Sequence, residues 1–306
     1  MQRREFSLGL AALGLSPLAG CAVQAAPGAD ISKTWNSAME GIEQNAQGRL
    51  GVSMLDTETG LALGWRQGER FAMCSTFKLL LAGWMLSLVD QGREKLDARV
   101  HYAPADVVEY SPVSGPRAGT GGGLTVGELC SATVSLSDNT AANVLLERHG
   151  GPAALTRYLR ALGDPITRLD RNEPTLNEAA IGDVRDTTTP LAMLQTMQKL
   201  VLGESLSASS RAWLQRWLIE TSTGDKRLRA GAPGWKVGDK TGTAAGSSGT
   251  ANDVAVLWPP GASGHRGAVL VTCYLTRSAV APEQRDAAIA AVGRAVVRAS
   301  LASRGT

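Results

Sequence analysis

Between Phe77 and Val89 apolar residues fill nearly every position: Leu79, Leu80, Leu81, Trp84, Met85, Leu86 and Leu88 leave no polar stripe. A helix apolar on all faces belongs in the middle of a protein, so the pattern predicts a core helix over 76–90. The periodicity stays helical from 71 to 219, with further helices over 125–136, 138–149, 152–162, 188–202 and 207–220. Glycine and proline clusters interrupt it, at Ser111-Pro112 through Gly123 and at Gly150-Gly151-Pro152. The two ends of the chain read differently. Leu50–Asp56 and Leu61–Arg66 read as strands around the turn Thr57-Glu58-Thr59-Gly60, and strands return at Trp235–Thr243, Asn252–Trp258 and Gly267–Thr276. A helix over 31–46 precedes the first strands. Another starts at Pro282, a residue favoured in a first turn, and runs to Ala302.

Strands at both ends with helices between predict an α/β (α+β) fold. One antiparallel sheet is built from both termini and flanked by helices, and the middle of the chain forms a central all-helical domain. The expected division is an export signal over 1–21, a sheet-containing domain from 22–70 and 220–306, and a helical domain over 71–219. A ligand cleft is expected where the two domains meet.

Ser75-Thr76-Phe77-Lys78 opens the core helix. Residues at i and i+3 share a helix face, so Lys78 reaches the hydroxyl of Ser75. Burial disfavours an ammonium and lowers its pKa. That sets a nucleophile beside its own activator. Alone the pair is a weak signal, because serine also caps helices and lysine also snorkels out of apolar surfaces. Ser137-Asp138-Asn139 and Lys240-Thr241-Gly242-Thr243 follow it in order. The three motifs together are those of class A β-lactamases and penicillin-binding proteins.

With Val108-Glu109-Tyr110-Ser111-Pro112-Val113 and Arg168-Leu169-Asp170-Arg171-Asn172-Glu173-Pro174-Thr175-Leu176-Asn177 added, the chain resembles the class A serine β-lactamases over nearly its whole mature length. The resemblance is to broad-spectrum chromosomal members. It implies hydrolysis of penicillins and cephalosporins through an acyl-enzyme at Ser75, and so antibiotic resistance. Ser75 would attack the β-lactam carbonyl, with its own N–H and that of Thr243 as the oxyanion hole. Either Lys78, or Glu173 through a water, would be the base for that step. Ser137 would pass a proton to the lactam nitrogen, or cap the helix that follows it, or both. Glu173, with Asn177 sharing its water, would activate the water that clears the acyl-enzyme. Asn139 would bond the substrate's side-chain amide. Lys240, Thr241 and Thr243 would hold its carboxylate, with Arg227 as a second partner, and Tyr110 would wall the cleft. Arg171 and Asp186 resemble the ion pair that closes the family's Ω-loop, and Glu173-Pro174 resembles its cis peptide.

Two departures stand out. In carbapenem-hydrolysing relatives the cysteine before the nucleophile is bridged to a cysteine just after the K-T-G-T. Here Ala244 and Ala245 stand there, so Cys74 has no such partner and cefotaxime-like drugs are expected to outperform imipenem as substrates. The glycine-rich stretch from Gly115 to Gly123 is expected to lie loosely near the cleft.

Composition narrows the rest. The chain has 306 residues, 43% of them hydrophobic, and a net charge of +3 with both signs interspersed. No basic run marks nucleic-acid binding. The isolated histidines and cysteines show no zinc spacing, and there is no G-x-S-x-G elbow. No metal or cofactor is therefore expected, and the partners are small-molecule β-lactams met by a monomer. Arg3-Arg4 before a weakly apolar Leu8–Ala19 looks like a twin-arginine export signal. Leu18-Ala19-Gly20-Cys21 resembles a lipobox, which would anchor the chain in a membrane through a lipid on Cys21. Ordinary cleavage near Ala25 is the rival. Either route puts the chain in the periplasm. Cys74, Cys130 and Cys273 read as buried thiols. A penicillin-binding DD-peptidase would lack the Glu173/Asn177 loop, and a β-lactam sensor would want a membrane anchor and a signalling partner. A non-catalytic envelope lipoprotein would leave the motifs unexplained.

Overall fold

The computed structural model describes residues 27–244, 248–262 and 267–305. The expected export signal, Arg3, Arg4, Cys21 and Ala245 lie outside the described residues.

The chain begins with α1 (Pro27–Asn45) and the hairpin β1 (Arg49–Asp56) and β2 (Ala62–Trp65). A short β3 (Phe71–Ala72) leads into the core helix α2 (Phe77–Asp90). Then come β4 (Arg99–Val100), β5 (Leu124–Thr125), α3 (Val126–Ser135), α4 (Asn139–Arg148) and α5 (Gly151–Ala161). After a long loop follow β6 (Thr187–Thr188), α6 (Pro190–Met197) and α7 (Ala208–Ile219). The chain closes with β7 (Lys236–Thr243), β8 (Ala251–Trp258), β9 (Val269–Thr276) and α8 (Pro282–Arg304). The expected helix over 188–202 ends early as a regular helix, because 198–202 form a π-turn.

Five strands make one antiparallel sheet in the order β2-β1-β9-β8-β7. β1 pairs with β9 from Arg49↔Thr276 to Asp56↔Val269, so both termini do build one sheet. The sheet is covered on both faces, which is why its long strands are buried almost throughout. Side chains alternate between the faces. Val254, Val256, Trp258, Leu270 and Tyr274 join the core shared with α2. Ala255, Leu257, Val271 and Cys273 join a second core beneath α1 and α8.

α2 is the hub of the first core. Every residue from Phe77 to Leu88 is buried, in keeping with its lack of a polar face. β7 is the edge strand beside the helical block, with Gly242 against the turn that precedes α2. A Cβ on Gly242 would come within 2.7 Å of the Met73 carbonyl oxygen. The absence of that atom lets the K-T-G-T strand close on Ser75. The segment Gly115–Gly123 does not reach the cleft. It packs against β4 and the residues after it, with Gly119 N–H on the Tyr102 carbonyl (3.0 Å) and Arg99 on that of Gly122 (2.9 Å).

Candidate active site

Ser75 sits in a 3₁₀ turn, Cys74–Thr76, immediately before α2. Asn252 of β8 anchors this turn by donating to the carbonyls of Ala72 (2.9 Å) and Met73 (3.1 Å). Lys78 lies one turn on and is fully buried. Its Nζ donates to Ser75 Oγ (3.1 Å), to the Ser137 carbonyl (2.8 Å) and to Asn139 Oδ1 (2.5 Å), and it lies 3.0 Å from Glu173 Oε1. Ser75 Oγ donates to the same Glu173 oxygen at 3.1 Å. The serine hydroxyl is thus held between a lysine nitrogen that donates to it and a glutamate oxygen that accepts from it. Burial lowers the Lys78 pKa, and the adjacent Glu173 opposes that shift.

Glu173 belongs to the loop between α5 and β6. Its Oε2 accepts from Asn177 Nδ2, and its peptide bond to Pro174 is cis. Arg171 Nε pairs with the buried Asp186 at 2.6 Å and closes the loop at its base. Asp186 Oδ1 also takes the N–H groups of Asp170 (2.7 Å) and Arg171 (3.0 Å).

The second motif delivers Ser137 in a left-handed conformation, φ 59°. Ser137 is therefore not the cap of α4. That cap is Asp138, whose carboxylate accepts from Ala141 N–H (2.8 Å) and from the amides of Val113 and Ser114 (both 2.9 Å). Freed from capping, Ser137 Oγ accepts from Lys240 Nζ at 3.0 Å and lies 3.4 Å from Lys78 Nζ. Lys240 also donates to the Thr241 carbonyl (2.9 Å). Burial, followed by repulsion from Lys78, pushes its pKa down to about 7.

The remaining candidates line one open cleft. Tyr110 is 57% exposed at its rim, so it is a wall and not a core residue. Asn139 donates from Nδ2 to the Glu109 carbonyl (2.8 Å) while its Oδ1 holds Lys78. Thr241 Oγ1 is 2.7 Å from Thr223 Oγ1. Thr243 Oγ1 accepts from Arg227 Nη2 (2.9 Å). Arg227 is fixed by Asp286 (2.7 Å) and the carbonyls of Gly242 (3.0 Å) and Asn252 (2.8 Å). All eleven residues singled out in the sequence are therefore brought to one place.

Sequence reasoning assigned no role to Glu109, Pro174, Thr223 and Gly242, which also line the cleft. It likewise missed Asn143, which holds the Glu173 backbone. No spacing signal marks Thr223; it is brought in only because the segment before β7 folds back beside that strand. Cys74, Cys130 and Cys273 are free and buried. No cluster of three metal-ligating side chains occurs among the described residues, and none of the described helices is long and apolar enough to cross a membrane.

Comparison with known proteins agrees with this geometry. The model of the β-lactamase enzyme family matches residues 34–300. β-Lactamase L2 of Stenotrophomonas maltophilia is 46% identical over 281 residues, covering 92% of this chain and 90% of that protein. β-Lactamase Toho-1 of Escherichia coli is 44% identical, covering 84% of this chain and 86% of that protein. The solved structure of an ancestral (GNCA) class A β-lactamase superposes with a TM-score of 0.82 at 56% identity, over 88% of this chain and 99% of that one. A match of this extent, on a fold that gathers a serine, two buried lysines and a glutamate, places the chain in the β-lactamase enzyme family as a class A serine β-lactamase, a hydrolase of the β-lactam amide bond.

Proposed function

We propose that Ser75 is the nucleophile and Glu173 the deacylating base of a periplasmic enzyme that hydrolyses penicillins and cephalosporins. The observation that carries this reading is the position of Ser75 Oγ, donating to Glu173 and accepting from Lys78, each at 3.1 Å. Ser75 Oγ attacks the lactam carbonyl while its proton passes into the Lys78–Glu173 pair. The carbonyl oxygen takes up charge against two backbone N–H groups. That of Ser75 lies at the start of a helical turn, where N–H groups have no intrahelical acceptor, and that of Thr243 lies on the edge strand. The C–N bond breaks as Ser137 gives its proton to the nitrogen, and the neighbouring lysines resupply it. Glu173, with Asn177 beside it, then takes a proton from the water that attacks the ester, and that proton returns to Ser75 Oγ as its bond to the acyl carbon breaks.

Lys240 supplies the positive charge for the substrate carboxylate, helped by Thr241, Thr243 and Arg227. An amide nitrogen carries two donors; Asn139 gives one to Glu109 and offers the other to the substrate's side-chain amide. Tyr110 walls the opening. The cleft lies between a sheet domain from both ends of the chain and a helical domain over 71–219. Ser75→Ala tests the scheme: turnover is expected to fall roughly 10³-fold or more, and no drug mass is added to the protein. Near-normal hydrolysis by this variant would assign the nucleophile elsewhere.

Export by the twin-arginine route, with a lipid on Cys21 and a monomeric enzyme, completes the reading. Arg3→Lys with Arg4→Lys is expected to abolish extracytoplasmic activity. Mass spectrometry of the mature N-terminus separates a lipidated Cys21 from a soluble start, and sedimentation reads the oligomeric state.

A further inference from the structure

The two backbone donors that face the lactam oxygen belong to different halves of the molecule, Ser75 to the turn before α2 and Thr243 to the end of β7. Their separation depends on whatever joins that turn to that strand. On β8, Val254, Val256 and Trp258 face the core shared with α2, and Asn252 lies on the same face. Asn252 stands opposite Gly242 in the β7–β8 register. An added Cβ on Gly242 would meet the Met73 carbonyl oxygen and Thr76, so strand and turn are in contact there, within reach of the buried Asn252 amide.

The amide faces the turn with its nitrogen, because the carbonyl oxygens of Ala72 and Met73 converge on it at 2.9 and 3.1 Å and need donors. Its Oδ1 is left buried without a hydrogen-bond partner, a cost that an apolar side chain at this position would avoid. Both donors thus go to the two residues before Cys74, which holds a left-handed φ of 45°. Such a conformation persists in a residue with a side chain only where its surroundings fix it. Met73 is fixed further by its N–H on the Asp186 carbonyl (2.9 Å) and by the Thr76 hydroxyl on its own carbonyl (2.8 Å). Arg227 Nη1 donates to the backbone carbonyls of Asn252 (2.8 Å) and Gly242 (3.0 Å), which ties the two strands together at the same level.

We propose that Asn252 is a positioning residue for acylation: by hanging the nucleophile turn from β8, opposite Gly242, it sets the distance between the Ser75 and Thr243 N–H groups. This rests on the reading of those two groups as the oxyanion hole. Both are then referenced to one strand. Thr243 is held through the ladder, where it pairs with Ala251, and Ser75 is held through the side chain of the next residue along. A hole of fixed width acts on charge that develops only in the transition state. It adds nothing to the ground-state grip on the substrate carboxylate, which falls to Lys240 and the threonines.

Asn252→Ala removes both donors to the turn. The turn then follows α2 and no longer the sheet, and the two N–H groups lose their common reference. A displacement of about 1 Å costs about 10²-fold, and Thr76 and Asp186 still hold Met73. Per titrated active site, kcat/KM is therefore expected to fall by about 10- to 10²-fold.

Two ligands separate this role from a loss of structure. Phenylboronic acid accepts a lone pair from Ser75 Oγ at boron, the hydroxyl proton passing to the Lys78–Glu173 pair, and the tetrahedral adduct places an oxygen where the oxyanion forms. The ring-opened penicilloate keeps the substrate carboxylate but has no lactam carbonyl. In Asn252→Ala the inhibition constant of the boronic acid is expected to rise about 10-fold or more, while that of penicilloate stays within about twofold. Equal changes in both, or none for the boronic acid, would overturn the proposal. The ¹¹B spectrum of the wild type with the boronic acid should show tetrahedral boron that Ser75→Ala lacks; its absence would bring down Ser75 as nucleophile, and the proposal with it. A measurement on the wild type needs no folded variant. With ¹⁵N-labelled asparagine, the Asn252 side-chain amide protons should exchange slowly with solvent and shift when the adduct forms. Fast exchange, or a signal that the adduct leaves unmoved, would overturn the proposal by itself.

Discussion

Asn143 grips the backbone of Glu173 from both sides: its Oδ1 accepts the Glu173 N–H and its Nδ2 donates to the Glu173 carbonyl, each at 2.9 Å. The grip comes from α4, one turn beyond Asn139, so the helix that lines the cleft also sets the height of the loop above it. Asn143→Ala removes two hydrogen bonds worth about 1 kcal/mol each. It is expected to lower the melting temperature modestly. Its larger effect should be on catalysis, since a displacement of about 1 Å in a reacting group costs about 10²-fold. Single-turnover kinetics should show slower deacylation. Unchanged deacylation would mean that Asp186 and Arg171 hold the loop without help from α4.

Glu173→Ala should split the reaction in two. Lys78 remains beside Ser75, so the acyl ester still forms. The neutral amide of Asn177 cannot take a proton from water in its place, and a positioned base contributes about 10²–10⁴-fold. The expected result is a burst of about one equivalent followed by very slow turnover, with the drug's mass on the protein. Steady turnover at the wild-type rate would remove Glu173 from the mechanism.

The depressed pKa of Lys240 has opposite consequences for stability and activity. Its folded value of about 7 lies below the ordinary 10.5. Between the two values the unfolded chain binds the proton and the folded chain does not, so this group makes stability rise with pH across that window. Binding a substrate carboxylate needs the cation, so kcat/KM should fall as pH rises through about 7. Lys240→Arg stays charged and should flatten that alkaline limb. A limb that persists unchanged in this variant would assign it to another group.

Gly224 packs so closely on β7 that an added Cβ would lie 1.7 Å from Asp239 Oδ2. Gly224→Ala must push that carboxylate aside, and overpacking of this kind costs about 1–3 kcal/mol. A lower midpoint in thermal or urea unfolding is expected. A variant as stable as the wild type would show that Asp239 has room to move.

α2 was legible because an apolar run with no polar face has one destination, and β8 and β9 because their runs are short and bounded by turns. Ser75, Lys78, Ser137 and Lys240 were legible as motifs, each too common alone and telling only in order. What the sequence hid depends on contacts between distant segments. Asn143 is an ordinary helix residue until the loop lies over it. Ser137 reads as a cap because serines commonly are, and only the left-handed turn passes that task to Asp138. The glycines from Gly115 to Gly123 announce a loop without saying which way it folds, and it folds toward β4.

The pairing of β1 with β9 sets a schedule for the chain as it is made. Arg49–Asp56 is synthesised before the helical block, yet its central neighbour, Val269–Thr276, appears only after that whole block. Until then β1 has only β2, and two strands alone are marginal in water. β8 is likewise missing one side, and β7 hangs from β8. A ribosome that stops before β9 therefore releases no smaller enzyme: the strand that carries Lys240 has no sheet to belong to, and the cleft has only one wall. Closure of so long a loop is slow relative to local helix formation, so the helical half must wait, assembled or not, for the last strands to arrive.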